Sequence, residues 1–497
     1  MSTALAPLDR TSHYIDGEWR ESSGESVEIS NPASGETLGT ISAATSEDVD
    51  AAVAAAKASF ESGVWRKTPP AERAALLRRT CEILEPRIEE ITDLLTSELG
   101  VPRWFAEMAH VPMPLKFMRS FADLAEQLAW EEDRDDGKLR STIVRQPVGV
   151  VGAITPWNGP LTNPTTKVAP ALAAGCSVVL KAAPVTPLTG FILIEALEEA
   201  GLPPGVVNYV PGDRDAGRHL VSHPDIEKVA FTGSTAAGRQ IMAACADRIA
   251  RVTLELGGKS AAIMLPDCDA EKYVNGVLPM GMMLVNGQAC IAMTRLLVPR
   301  SRHDEVAEVL TEAARAAKVG DPFDPETKIG PLVSSAQRER VEGYIATGLA
   351  EGATVACGGG RPQGLDRGWF VEPTVFTGVE NSMRIAQEEI FGPVVALIPY
   401  DDEADAIRIA NDSIYGLSGS VWTEDPEAGF AVAKEIRTGL VAINGFPQAA
   451  ATPFGGFKQS GLGREFGPEG LEEYVEIQAV SRGPLGAGAD PSKMAPF

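Results

Sequence analysis

The chain has 497 residues, 44% of them apolar and 23% charged, with a formal net charge of −24. That length exceeds what one simple core serves, so two or three domains of an ordinary soluble globular protein are expected. An acidic field of this size argues against a nucleic-acid partner, no apolar run reaches the roughly 18 residues of a membrane span, and the segment from Met1 to Arg10 lacks the basic-then-apolar pattern of a signal peptide.

Taken in chain order, the pattern predicts long helices over 53–60 and 70–100 and strand character at 142–144. A Val/Ile-rich strand over 148–154 follows and ends at Thr155-Pro156-Trp157. Asn163-Pro164 reads as a helix start, with Asn as the cap and Pro at the first helical position, and that helix runs to about Gly175. Strands at 177–181, 206–210, 228–232 and 252–256 then alternate with helices over 186–201, 214–221 and from Gly233 to about Asp247. Such alternation predicts a parallel, doubly wound sheet, which binds ligands at the carboxyl ends of its strands. A second α/β set follows. Its helices span 303–319, 334–350, 403–410 and 426–437, the last capped by Asp425, and its strands span 394–399, 419–422 and 440–444. Residues 471–480 also have strand character, and with 142–144 they are expected to supply an edge element between subunits. The Gly/Pro/Ala-rich stretch 483–497 reads as a loose tail.

Six cysteines (Cys81, Cys176, Cys245, Cys268, Cys290 and Cys357) stand singly, with no CxxC, and the five histidines form no HxxxH or HExxH pattern. No metal site is expected from such spacing, and a reducing cytoplasmic setting is. Most single cysteines of this kind are small core residues, and Cys81, Cys176 and Cys245 are read so. Cys290 differs, because it follows Asn286-Gly287-Gln288-Ala289, a polar and flexible stretch that puts it at a turn or helix end. Thiolate chemistry needs a lowered pKa or a nearby base. Glu255, a carboxylate inside the apolar strand 252–256, is the candidate base, acting directly or through water. Asn158, after Pro156-Trp157, offers an amide to an oxyanion, although Asn is also a common turn residue.

Gly233-Ser234-Thr235-Ala236-Ala237-Gly238 lies between a strand and a helix, where glycine lets the backbone approach a pyrophosphate at the positive helix end. The spacing is GxxxxG and not GxGxxG, so taken alone a plain strand-to-helix turn explains it equally well. Gly257-Gly258-Lys259-Ser260 superficially resembles a P-loop, but Thr253 stands where that motif requires glycine.

Over residues 13–480 these segments together resemble the aldehyde dehydrogenase superfamily. The matching stretches are Pro156-Trp157-Asn158, Lys181, Phe231-Thr232-Gly233-Ser234-Thr235, Glu255-Leu256-Gly257-Gly258-Lys259 and Gly287-Gln288-Ala289-Cys290. Glu388-Glu389-Ile390-Phe391-Gly392-Pro393, Pro453-Phe454-Gly455-Gly456-Phe457-Lys458, Ser460-Gly461 and Gly463-Arg464-Glu465 follow in order. The resemblance implies an α/β fold: a Rossmann-like doubly wound parallel sheet, a second α/β catalytic domain and a small β oligomerisation element. Residues 1–124 and 148–257 would form the dinucleotide-binding domain, 258–459 the catalytic domain, and 125–147 with 460–497 the oligomerisation element and tail.

It further implies that Cys290 attacks an aldehyde carbon and that Asn158 and the Cys290 backbone N–H hold the oxyanion. Glu255 then activates the water that hydrolyses the thioester. Gly233 and Ser234 would approach the pyrophosphate, Trp157 and Lys181 the adenosine ribose, and Glu389 the nicotinamide ribose. Phe391 would pack near the nicotinamide and Ile154 near the cofactor cleft. Gly238 and Leu256 complete the expected cofactor set, and Gln337 is a further ribose candidate. A homo-oligomer, dimer or tetramer, is implied as well.

Two departures from the family pattern matter. NAD-preferring members often read Lys-Pro-x-Glu after the second strand, whereas this chain reads Lys181-Ala182-Ala183-Pro184, which has no acceptor and no charge against a 2′-phosphate. No added Arg or Lys replaces that glutamate, so NAD is the expected coenzyme, with NADP open. Gly159 follows Asn158 where many members carry an aromatic, Asn163 and Thr166 occupy positions that are often bulky, and residues 445–452 are rich in small side chains. A roomy tunnel for a larger apolar aldehyde, aliphatic, aromatic or terpenoid, is expected. The rival readings are a CoA-acylating relative, a branch that generally lacks the Glu255-type base, a simple cysteine hydrolase, and a non-catalytic family member acting as a binding protein.

Overall fold

The computed structural model describes residues 8–135, 140–445 and 449–482, so the tail expected at 483–497 lies outside the described residues. Among the described residues the strands build four sheets. The largest has eight strands in the order Gly461–Leu462, Arg251–Glu255, Lys228–Thr232, Val150–Thr155, Ser177–Ala182, Val207–Tyr209, Ser12–Ile15 and Glu18–Glu21. The five from Arg251–Glu255 to Val207–Tyr209 are parallel, as expected from the alternation of strands and helices. Every residue of Val150–Thr155, Ser177–Ala182 and Lys228–Thr232 is buried. Burial on both faces is why these segments read as continuous apolar runs and not as alternating patterns.

The winding reverses at the strand Val150–Thr155. The chain lays Ser177–Ala182 and Val207–Tyr209 on one side of it, then returns to lay Lys228–Thr232 and Arg251–Glu255 on the other. At such a switch point the connections leave in opposite directions, and a crevice opens beyond the strand ends, here beyond Thr155 and Thr232.

A second sheet of seven strands runs Thr354–Cys357, Thr374–Thr377, Val394–Tyr400, Met293–Pro299, Ser260–Met264, Ser418–Trp422 and Leu440–Ile443. All its pairings are parallel except that of Thr354–Cys357 with Thr374–Thr377. Its two central strands, Ser260–Met264 and Met293–Pro299, were not expected. Short apolar runs buried on both faces carry no period that separates strand from helix. These two strands pair from Ser260 with Met293, so the residues just before them, Gly258 and Cys290, become neighbours.

Elsewhere tertiary packing overrides local pattern. The helix expected over 70–100 is two helices, Pro70–Leu84 and Ile88–Leu99, joined by a 3₁₀ turn at Glu85–Arg87. Pro86 lacks the N–H an unbroken helix requires. A further helix, Pro112–Gln127, packs on Pro70–Leu84 and was missed altogether. The expected Asn163 cap is corrected: the helix is Thr162–Ala174 with Leu161 at the cap position, and the Asn163 N–H already donates to the Gly159 carbonyl at 2.8 Å. The strand expected at 471–480 begins at Val475, because Leu471 lies in the helix Gly467–Glu472. Val475–Arg482 pairs with Arg140–Pro147, and that strand with Glu131–Asp135, in a three-stranded antiparallel sheet. No helix of the described residues is long and apolar enough to cross a membrane.

The helix expected from Thr186-Pro187 is Leu188–Glu199, and its cap comes from far away in sequence. The fully buried Glu98 carboxylate accepts from the Leu188 N–H at 2.9 Å, the Thr189 N–H at 3.0 Å and the Thr189 hydroxyl. Burial pushes the Glu98 carboxyl up to about 7, against the downward pull of those donors. Glu98→Ala leaves these donors without an acceptor, at about 1–3 kcal/mol for each buried group. We expect the thermal midpoint of Glu98→Ala to fall by about 5 °C or more in a calorimetric scan. Glu98→Gln, which keeps an acceptor oxygen, should lose less. Equal midpoints for the parent and Glu98→Ala would show that the cap carries no stability.

Candidate active site

The Cys290 loop is built by backbone strain held in place by amides. Val285, Asn286 and Gly287 take positive φ values of 50°, 56° and 77° in succession. Conformations of this kind cost about 1–3 kcal/mol each for residues other than glycine, so something must hold them. The buried Asn286 amide donates to the Gly100 and Pro331 carbonyls, both at 2.9 Å, and accepts from the Gly330 N–H at 2.7 Å. The buried Gln288 amide donates to the Val285 carbonyl at 3.0 Å and accepts from the Val333 N–H at 3.0 Å. Gly287 is obligatory, since a Cβ there would fall 2.3 Å from the Gly392 carbonyl carbon. The polar residues before Cys290 are therefore clips that aim the turn, and Cys290 sits in that turn, half-buried.

Glu255 reaches the same place from the first sheet, as the last residue of the strand Arg251–Glu255, and is 3% exposed. Its carboxyl faces the Cys290 thiol and is pushed up to about 8, first by burial and then by the nearby Glu465 charge. Burial, followed by the Glu255 charge, holds the Cys290 thiol well above its ordinary value. The two groups thus oppose each other's ionisation, and the pair favours one negative charge at a time. The Glu255 Oε1 atom has no hydrogen-bond partner, as suits an acceptor waiting for a proton.

Asn158 leaves the crevice just beyond Thr155 and donates its amide to the Gln288 carbonyl at 3.0 Å, which brings it against the Cys290 loop. Glycine at 257 and 258 permits the junction. A Cβ on Gly258 would lie 2.3 Å from the Cys290 carbonyl oxygen, and one on Gly257 would lie 2.6 Å from a Glu389 carboxylate oxygen. Glu389 in turn accepts from the Gly258 N–H at 3.1 Å, and burial pushes its carboxyl up to about 7.

The remaining sequence candidates divide. Trp157 and Phe391 meet edge to face at 5.3 Å between ring centres. Ser234 caps the helix Thr235–Ala246, its hydroxyl accepting from the Ala237 N–H at 3.3 Å, and leaves the first turn of that helix open to solvent. The Gly233 N–H is bound to the Glu255 carbonyl at 3.0 Å. Lys181 pairs in register with Ile154, and burial lowers its amine to about 8. Ile154, Phe231 and Leu256 share one buried apolar cluster. Gly238 is buried where its helix packs on Leu256, and a Cβ there would lie 2.7 Å from the Leu256 methyl groups. The Gln337 amide donates to the Phe391 carbonyl at 2.7 Å, which makes it a brace for Phe391. Phe446, Pro447 and Gln448, part of the small-residue segment expected at the tunnel mouth, lie outside the described residues. Among the described residues no group of three or more His, Cys, Asp or Glu is placed to hold a metal ion.

Comparison with known proteins gives the assembly a family. Residues 19–480 match the model of the aldehyde dehydrogenase family. The chain belongs to this family. The geranial dehydrogenase of Castellaniella defragrans is 46% identical over 475 residues, 95% of this chain and 99% of that protein. The crystal structure of a Mycobacterium tuberculosis aldehyde dehydrogenase with NAD+ is 48% identical, covers 97% of this chain and 100% of its own, and superposes with a TM-score of 0.95. A Pseudomonas syringae aldehyde dehydrogenase mutant crystallised with NAD+ and octanal is 41% identical, covers 96% of this chain and 97% of its own, and has a TM-score of 0.92.

In this aldehyde dehydrogenase the sequence reading overlooked one pair behind Glu255. Lys167, fully buried, donates to the Thr232 hydroxyl at 2.6 Å and to the Glu465 carboxylate at 2.7 Å. Its signal was present: a lone lysine inside a run of Val, Ala, Pro and Leu is buried only with a partner. The partner itself, 298 positions away in sequence, had no local signal.

Proposed function

We propose that the chain oxidises a larger apolar aldehyde to its carboxylic acid with NAD+, through a covalent thioester on Cys290. The observation that carries this reading is the convergence of Cys290, Glu255 and Asn158 at the junction of the two sheets. Glu255 takes the thiol proton, and the thiolate adds to the aldehyde carbon. The oxyanion that forms is held by the Asn158 amide and the Cys290 backbone N–H; losing one such donor typically costs about 10²–10³ in rate. After oxidation the acyl group remains on sulfur as a thioester. Water, deprotonated by Glu255, attacks it, and the acid leaves with the Cys290 thiol restored.

The residues suit a dinucleotide. The Ser234-capped helix presents unpaired N–H groups to an anion, Lys181 offers a buried amine at a strand end, and Glu389 offers a carboxylate to ribose hydroxyls. When bound, the oxidised nicotinamide supplies the acceptor for the aldehyde hydride. The solved relatives hold NAD+, which supports NAD over NADP. On this reading residues 1–124 and 148–257 hold the dinucleotide, 258–459 carry the nucleophile, and 125–147 with 460–497 serve assembly into a homo-oligomer.

For the substrate, support comes from the geranial dehydrogenase, the octanal complex and the apolar cluster around the Cys290 loop, where Ala289 packs with Leu95, Leu99, Phe105 and Ile291. Steady-state kinetics with both coenzymes against an aldehyde panel tests the proposal. We expect kcat/KM to rise from acetaldehyde to medium-chain, terpenoid or aromatic aldehydes, and to favour NAD+. Highest values for acetaldehyde would sink the substrate reading, and absence of reduced coenzyme across the panel would sink the reaction.

A further inference from the structure

The space beside Asn158 is occupied in a way that size alone does not explain. Asn163 turns its side-chain amide back from the first turn of its helix and donates to the Asn158 Oδ1 atom at 3.4 Å. The Asn158 Nδ2 atom donates to the Gln288 carbonyl at 3.0 Å. The space that Asn163 fills is the space above Gly159, because a Cβ on residue 159 would fall 2.8 Å from Asn163 Nδ2 and 3.3 Å from its Cγ. Gly159 and Asn163 are therefore one feature: the first lacks a side chain where the second lies.

We propose that Asn163 is a positioning residue that fixes which way the Asn158 amide faces. The proposal rests on the reading of Asn158 as the oxyanion donor. A primary amide has a donor end and an acceptor end of nearly equal shape. Turned the wrong way, Asn158 would present an oxygen to the substrate carbonyl and repel the developing charge. The Gln288 carbonyl accepts only an N–H, so it selects the nitrogen for that side. Asn163 turns its N–H to the other end, and in that arrangement it favours the oxygen there. With both partners in place one Asn158 N–H is spent on Gln288, and the second is held for the carbonyl oxygen of an aldehyde on Cys290. Gly159 is then small chiefly to admit the Asn163 amide.

The test is single-turnover acylation, read as the burst of reduced coenzyme at saturating aldehyde, for Asn158→Ala, Asn163→Ala, Gly159→Ala and the relevant double variants. Asn163→Ala should slow the burst about 5–10-fold, the worth of one neutral hydrogen bond. In the Asn158→Ala background the same change should have less than a twofold effect, because the group it positions is gone. Gly159→Ala, which displaces the Asn163 amide, should slow the burst to a similar degree and have no further effect once Asn163 is alanine. Coenzyme binding, read by fluorescence, should be unchanged in Asn163→Ala, which separates positioning from general damage to the fold. An Asn163→Ala effect of equal size with and without Asn158, or no effect at all, overturns the proposal. A normal burst in Asn158→Ala instead overturns the oxyanion reading beneath it, and the proposal with it.

Discussion

Replacing Cys290 by alanine is expected to lower aldehyde oxidation by about 10⁵-fold or more, the scale seen when a covalent nucleophile is removed from an acyl-transfer site. No substitute stands nearby to limit the loss. The other cysteines, Cys81, Cys176, Cys245, Cys268 and Cys357, are all buried, and burial raises the thiol of each above its ordinary value. The loop itself should survive the change, because Asn286 and Gln288, not the thiol, clip it to Gly100, Gly330 and Val333. Coenzyme binding is therefore expected to persist while the burst of reduced coenzyme vanishes. A variant that keeps a measurable burst would place the nucleophile elsewhere.

Glu255→Gln is expected to slow release of the acid about 10²–10⁴-fold, the usual contribution of a general base. The burst should slow as well, because Glu255 also takes the thiol proton, and the acyl group that does form should then wait on sulfur while steady-state turnover falls. Glu255 also imposes a pH profile on the parent chain. Burial and the Glu465 charge raise its carboxyl to about 8, so at pH 7 only about a tenth is in the base form. Deacylation should therefore climb nearly tenfold per pH unit below about pH 8 and level off above it. In the acyl-enzyme Cys290 is esterified and does not titrate, so the thiol does not contribute to this limb. The limb should disappear in Glu255→Gln. An unchanged deacylation rate, or a limb that persists in the variant, removes Glu255 from the base role.

Much of this site could be read before the fold was known, and the reasons are local. The strands that deliver it are continuous apolar runs because both of their faces are covered, so 228–232 and 252–256 were legible to within one residue. Asp425 announces its helix by capping chemistry that involves only the next three positions. Where a cap comes from elsewhere in the chain, as Glu98 does for Leu188–Glu199, the local pattern starts the helix early, at Thr186-Pro187; the Thr186 hydroxyl in fact donates to the Trp157 carbonyl at 2.7 Å. Asn163 misled in the same manner, since an asparagine before proline resembles a cap whatever its side chain later meets.

Sequence alone nominates the residues proposed to carry the chemistry: a cysteine after a Gly/Gln turn, a carboxylate between leucines before two glycines, and an asparagine at a strand end, in an order that marks one family. Residue type, short-range periodicity and motif order are properties of neighbouring positions, and they need no folded context. Only the tertiary structure decided how those groups are supported. It set Lys167 and Glu465 behind Glu255, turned Gln337 toward the Phe391 carbonyl, packed Gly238 on Leu256, and laid the Asn163 amide over Gly159 against Asn158. Each of these is a contact settled by how helices and sheets pack on one another. A buried polar group must find its partner wherever packing delivers one, and that partner leaves no trace in the residues beside it.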